Sequence, residues 1–209
     1  MQSELTQNEL AMIPVAANAA SGDIEKLTKS LVNGLDSGLS IMQLKEILVQ
    51  VYAYAGFPRS LNALAALMSL VNERAEAGIN DAQGEPASSL PEDRTSLEFG
   101  TENQTKLVGQ RVSGPLFDFA PEIDTYLKAH LFGDIFQREV LSWKERELAT
   151  IAMLANIQGV NSQLKAHYGI AMNNGLSAEQ LNEFISVLKQ ECGEDVAFNA
   201  KHVLDAVLV

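Results

Sequence analysis

Gly38-Leu39-Ser40 and Gly175-Leu176-Ser177, 137 positions apart, decide how this chain is read. Each serine is followed three residues later by a glutamine, Gln43 or Gln180, and then by an apolar run of helical period. A serine with glutamine at that spacing satisfies the orphan backbone donors of a helix start. Glycine just before it suits the left-handed residue that closes the preceding helix. Each triplet therefore reads as one helix ending and the next beginning.

The pairing extends outward. Thr6 with Glu9 and Ser142 with Glu145 are capping boxes 136 positions apart, each preceded by a leucine, Leu5 or Leu141. At the shift of 137, Gly22 aligns with Gly159, Glu46 with Glu183, Gly56 with Gly193, Asn62 with Asn199 and Ala63 with Ala200. This is a domain-sized duplication rather than a short solenoid repeat. The spacing predicts helices near 6–20, 22–37, 40–55 and 58–77, then near 142–157, 160–174, 177–191 and 194–208. Pro14 falls inside the first and should kink it or shift its boundary. No sustained period-2 alternation is present, so the expected fold is all-α, a duplicated helical bundle. The expected division is a first copy at 1–76, a linker or arm at 77–107, and a second copy at 108–209. The stretch from Ala77 to Gln104 is rich in Gly, Pro, Ser and acids. It reads as a mobile linker or as an ordered arm wrapped on a neighbouring subunit. Another helix is expected from Pro121, in the position proline favours at a helix start.

Composition narrows the function. A formal charge of −12 over 209 residues disfavours binding to phosphate backbones, so no nucleic-acid partner is expected. No apolar run reaches membrane-spanning length, and MQSELTQNEL has neither a basic nor an apolar leader region. The expectation is a cytoplasmic protein, or one from which a leader has been removed. The single cysteine, Cys192, allows no internal disulfide and no paired-thiol redox motif. The three histidines are scattered, and no metal or phosphate-binding motif appears, so no cofactor is expected.

Three segments carry a family resemblance. They are Gly133-Asp134-Ile135-Phe136-Gln137-Arg138 with Leu141 and Arg146-Glu147-Leu148; Leu164-Lys165-Ala166-His167 with Ala171, Asn174 and Gly175-Leu176-Ser177; and Tyr52-Ala53-Tyr54-Ala55-Gly56-Phe57-Pro58-Arg59-Ser60-Leu61-Asn62. The chain resembles the carboxymuconolactone decarboxylase family of the alkylhydroperoxidase D-like superfamily. That resemblance implies helical subunits assembled in rings. A duplicated chain would form a homo-oligomer, as a trimer mimicking six units or as a hexamer. It also implies one of two chemistries. One is decarboxylation of a small carboxylated lactone; the other is peroxide metabolism through a Cys-x-x-Cys pair. The positions matching those thiols are Val160 and Gln163 here, and Asp23 and Lys26 in the first copy, so the peroxidase or peroxiredoxin-type reading lacks its reactive groups.

The copies have diverged. His167 has Ser30 as its counterpart, and Gly56-Phe57-Pro58-Arg59 faces Gly193-Glu194-Asp195-Val196. The second copy is thus expected to supply acid–base chemistry and the first its pocket walls. Glu147 and His167 each lie about ten residues from a helix turn near 157, roughly 15 Å along opposite arms of a hairpin. They are the candidate catalytic pair, with Glu147 orienting His167; an interface histidine beside a helix-start charge is the alternative. Arg138 and Arg146 are candidates for holding substrate carboxylates, or for salt bridges. Arg59, Tyr54 and Phe57 are candidate pocket residues, with Tyr52 beside them, although aromatics at such spacing are commonly core. His130 and His202 read as structural. The expected activity is that of a carboxy-lyase acting on a small carboxylated molecule. A non-catalytic oligomeric binding protein with a vestigial site is the other reading.

Overall fold

The computed structural model describes residues 4–90 and 92–208. The first four helices are α1 (Gln7–Ser21), α2 (Ile24–Asp36), α3 (Ile41–Ala55) and α4 (Phe57–Glu76). Four more close the chain: α8 (Trp143–Ala155), α9 (Asn161–Asn173), α10 (Ala178–Cys192) and α11 (Glu194–Asp205). No strand occurs among the described residues, and the fold is all-α. All four capping boxes form, with reciprocal bonds at Thr6/Glu9, Ser40/Gln43, Ser142/Glu145 and Ser177/Gln180. Gly38 and Gly175 sit at φ 98° and 103°, a region that side chains other than glycine's disfavour. The starts of α2 and α9, α3 and α10, and α4 and α11 keep the spacing of 137 residues.

Helices α1 and α8 pack against each other at the centre. Met12 to Ala20 and Arg146 to Ala155 are buried without a break, so neither helix has a solvent face along those turns. Small side chains such as Ala16, Ala17, Ala149 and Ala152 suit that close approach. Helix α1 runs unbroken through Pro14 from Gln7 to Ser21, so its boundary is not shifted. Helices α2–α4 pack around α1, and α9 and α11 pack on α8 with α10 against α11, while α3–α8 and α1–α10 contacts join the two sets. Buried apolar residues of both sets form one cluster.

The intervening chain is more ordered than its composition predicts. Its first part is pinned to the protein's own helices. Arg74 grips Asp81 through two nitrogens, and the backbone N–H groups of Ile41 and Met42 donate to Ala82 and Gln83 carbonyls. Those bonds satisfy orphan donors at the start of α3. A helix, α5 (Ser96–Val108), then begins inside the stretch expected to be loop, with its own capping box at Thr95/Glu98. The short helices α6 (Pro115–Phe119) and α7 (Pro121–Tyr126) follow, and α7 runs on into a wide-turned π segment, Leu127–Ile135. Wide turns bring consecutive pairs inward, and Leu131, Phe132, Ile135 and Phe136 are all buried. Helix α5 crosses this segment at two glycines. A Cβ on Gly100 would lie 1.6 Å from the Lys128 carbonyl oxygen, and one on Gly133 would lie 2.2 Å from that of Ser96. Leu107 of α5, the π segment and Phe136 just after it form a second apolar cluster with Ile170 of α9, against which Tyr52 and Tyr54 of α3 pack. No helix among the described residues is long and apolar enough to cross a membrane.

Candidate functional site

The hairpin of α8 and α9 brings Glu147 and His167 together, with His167 Nδ1 2.8 Å from Glu147 Oε2. Glu147 is fully buried, and its other oxygen, Oε1, has no hydrogen-bond partner. The His167 side chain keeps 13% of its surface exposed, because it lines a cavity of about 820 Å³. With Nδ1 engaged, Nε2 is the ring nitrogen left for a ligand. The Tyr54 ring meets the imidazole edge-on at 5.9 Å.

The cavity lies between the end of α3, the outer face of α9, and the cover made by α5 to the π segment. Its walls are mainly apolar, including Val108, Phe117, Leu131, Phe132 and Ile170. Val160 and Gln163, at the positions of the absent thiols, also line it. Cys192 lies elsewhere, at the end of α10, where burial pushes its thiol above the ordinary value.

Arg138 and Arg146 are also brought together, but on Glu46 rather than on the cavity. Arg138 grips both oxygens of Glu46 through Nε and Nη2, at 2.6–3.1 Å. Arg146, wholly buried, donates from Nη2 to Glu46 at 3.0 Å and to the Arg138 carbonyl at 2.7 Å. Neither lines the cavity, and the expected carboxylate clamp is replaced by a buried ion pair within the chain. The physical reason is burial: a guanidinium without water needs a fixed anion, and Glu46 of α3 provides it. Burial works against the Glu46 carboxylate, but hydrogen bonds from Arg138 and Arg146 outweigh it and hold its pKa below the ordinary value. Burial lowers the Arg146 pKa, and the Glu46 bond opposes that shift.

A directed chain of hydrogen bonds leads from this pair to the cavity. Arg146 Nη1 donates to Gln50 Oε1 at 3.0 Å, and Gln50 Nε2 donates to Thr150 Oγ1 at 2.9 Å. Thr150 Oγ1 donates to the Tyr54 hydroxyl at 3.2 Å. Tyr54 thus accepts within the chain, leaving its own O–H to donate towards the cavity it lines. Burial, and next the nearby Glu147 carboxylate, raise the Tyr54 pKa and keep it protonated.

Arg59 donates to the Ala20 carbonyl at the end of α1 and lines no part of the cavity. Phe57 is exposed and stacks on Tyr52 at 4.4 Å, also off the cavity. His130 pairs with Asp134 at the surface, and His202 is exposed. Among the described residues no three His, Cys, Asp or Glu side chains are grouped as a metal ligand set. The sequence reading missed the roles of Glu46, Gln50 and Thr150. Their signal was present: Glu46/Gln50 on α3 and Arg146/Thr150 on α8 are polar pairs at i,i+4 within buried helix faces. It also missed Arg111, the cation on the cavity wall. In the first half, Ser30 at the position of His167 accepts a hydrogen bond from Asn18 Nδ2 at 3.0 Å.

Residues 121–206 match the model of the carboxymuconolactone decarboxylase family. A 4-carboxymuconolactone decarboxylase of Acinetobacter baylyi is 26% identical over 55% of this chain and 88% of its own length. Peroxisomal protein 2 of Saccharomyces cerevisiae is 26% identical over 71% of this chain and 61% of its own length.

Proposed function

We propose that this chain, whose residues 121–206 match the model of the carboxymuconolactone decarboxylase family, is a carboxy-lyase using acid–base chemistry at His167. The observation that carries this reading is the Glu147–His167 pair on the wall of a cavity large enough for a small organic molecule. In the proposed reaction, the bond between a substrate carbon and its carboxylate breaks, releasing carbon dioxide. The electron pair is held by an adjacent carbonyl, towards which Tyr54 donates its O–H. Protonated His167 then delivers a proton from Nε2 to the carbon that lost the carboxylate. Glu147 keeps the ring oriented and balances the charge while it is protonated. Peroxide reduction by paired thiols has no chemistry available here, since Val160 and Gln163 stand at those positions.

The first half contributes Ala53 and Tyr54 to the cavity wall but no second histidine, so the reading assigns one site per chain. Exposed Leu61 on α4 and Phe198 on α11, again 137 positions apart, support assembly with further copies, as a trimer or a hexamer. Light scattering tests that assembly. The activity is tested by carbon dioxide release from a panel of carboxylated lactones. His167→Ala should slow turnover by roughly 10²–10⁴; an unchanged rate would reject the acid–base role.

A further inference from the structure

We propose that the site takes an organic acid with a single anionic group and an extended apolar body, and that Arg111 anchors the anion. The proposal deepens the reading of His167 as the reacting group and rests on it. Three observations carry it. First, no Lys, Asp or Glu lines the cavity; Arg111 is its one permanent charge among the described residues. Second, the arginines that could have held a second carboxylate, Arg138 and Arg146, are consumed by Glu46. Arg111 itself makes no ion pair among the described residues. Third, much of the remaining wall is built of Val, Leu, Ile and Phe side chains, which offer a second carboxylate neither a charge nor a donor to replace its water. Apart from His167, which the proposed reaction uses, the remaining polar side chains on the wall, among them Gln104, Gln110, Gln163 and Asn173, are neutral. They can accept an ester, lactone or amide but cannot balance a charge.

Arg111 lies in the segment between α5 and α6, part of the cover and outside both four-helix sets. Specificity would therefore be set by the chain joining the two sets, while the reacting histidine belongs to α9. Each methylene buried against the apolar wall should tighten binding by roughly fourfold, so affinity should rise with chain length until the cavity is filled.

The test measures binding apart from turnover. Isothermal titration of the full chain would use butanoate, octanoate and decanoate, with decanol and decanedioate as controls. Decanoate should bind at least tenfold more tightly than butanoate, decanol or decanedioate. Arg111→Gln should remove most of the preference for decanoate over decanol, and Arg111→Lys should restore part of it. Raising salt from 50 to 500 mM should weaken decanoate and leave decanol unchanged, because the anchor is solvent-accessible. His167→Ala should still bind decanoate, which separates this proposal from the acid–base reading: loss of turnover with retained binding is a result about His167 alone. Failure of decanoate to bind, an undiminished preference in Arg111→Gln, or tighter binding of decanedioate would each overturn the proposal.

Discussion

Replacing Glu46 by Gln should destabilise the protein more than any surface charge change. The substitution keeps side-chain volume and leaves one oxygen to accept a hydrogen bond, but it removes the negative charge. Arg146 is then a fully buried guanidinium whose neighbouring charge is the like charge of Arg138. Breaking a buried ion pair from one side costs about 3–5 kcal/mol; the retained amide oxygen places Glu46→Gln near the lower end, about 3 kcal/mol. For a chain of this size that corresponds to a fall in Tm of roughly 6–12 °C. Urea unfolding at pH 7 should show a lower midpoint with an unchanged slope. Arg138→Gln, at a partly exposed partner, should cost about 1 kcal/mol or less. The pH dependence supplies an independent check. The Glu46 pKa is lowered in the folded protein from its ordinary 4.5. Just below that value the unfolded chain binds more protons than the folded one. The stability Glu46 contributes is thus complete above about pH 4.5 and lost as pH falls through the folded value. The gap between wild type and Glu46→Gln should narrow across that acid range. A loss under 1 kcal/mol at pH 7, or a gap that does not narrow in acid, would refute the assignment of Arg146 to Glu46.

Three further outcomes follow from the same geometry. Glu147→Gln keeps a hydrogen-bonding group beside His167 but removes the balancing charge, and should lower turnover by roughly 10–100-fold with folding retained by circular dichroism. Tyr54→Phe deletes the donor at the end of the Gln50–Thr150 chain and should lower kcat more than it raises KM, by roughly tenfold or more in steady-state assays. Gly100→Ala drives a methyl into the Lys128 carbonyl where α5 crosses the π segment. It should cost about 1–3 kcal/mol and speed amide hydrogen exchange across residues 96–108, with the four-helix sets less affected.

The all-α class, the eight helices of the two sets and their 137-residue correspondence were legible in the chain, because caps and apolar periodicity are local. A serine and a glutamine three residues apart meet through their own backbone, whatever else the protein does. The Glu147–His167 pair was legible for a related reason: a hairpin between two helices converts sequence separation into height, so two residues equally far from one turn lie level, and here their faces also meet. The arginines were a different case. Whether Arg138 and Arg146 face a ligand or a carboxylate of the same chain depends on how α3 lies against α8, which no local pattern states. Only tertiary packing put Glu46 and Gln50 opposite Arg146 and Thr150, and buried charge then required their pairing. The stretch around Thr95 to Val108 was misleading because its composition resembles a linker. Its helix gains from the glycine crossing with the π segment, a contact to residues about 30 positions later. The same cover brings Arg111 to the cavity, so the residue proposed to choose the ligand was the least legible of all. A lone arginine in a loop has no periodicity to betray which wall it will join. The paired Gly-Leu-Ser motifs carried enough local chemistry to specify two sets of helices; the cavity between those sets and their cover, to which the proposed substrate is assigned, exists only once both have packed.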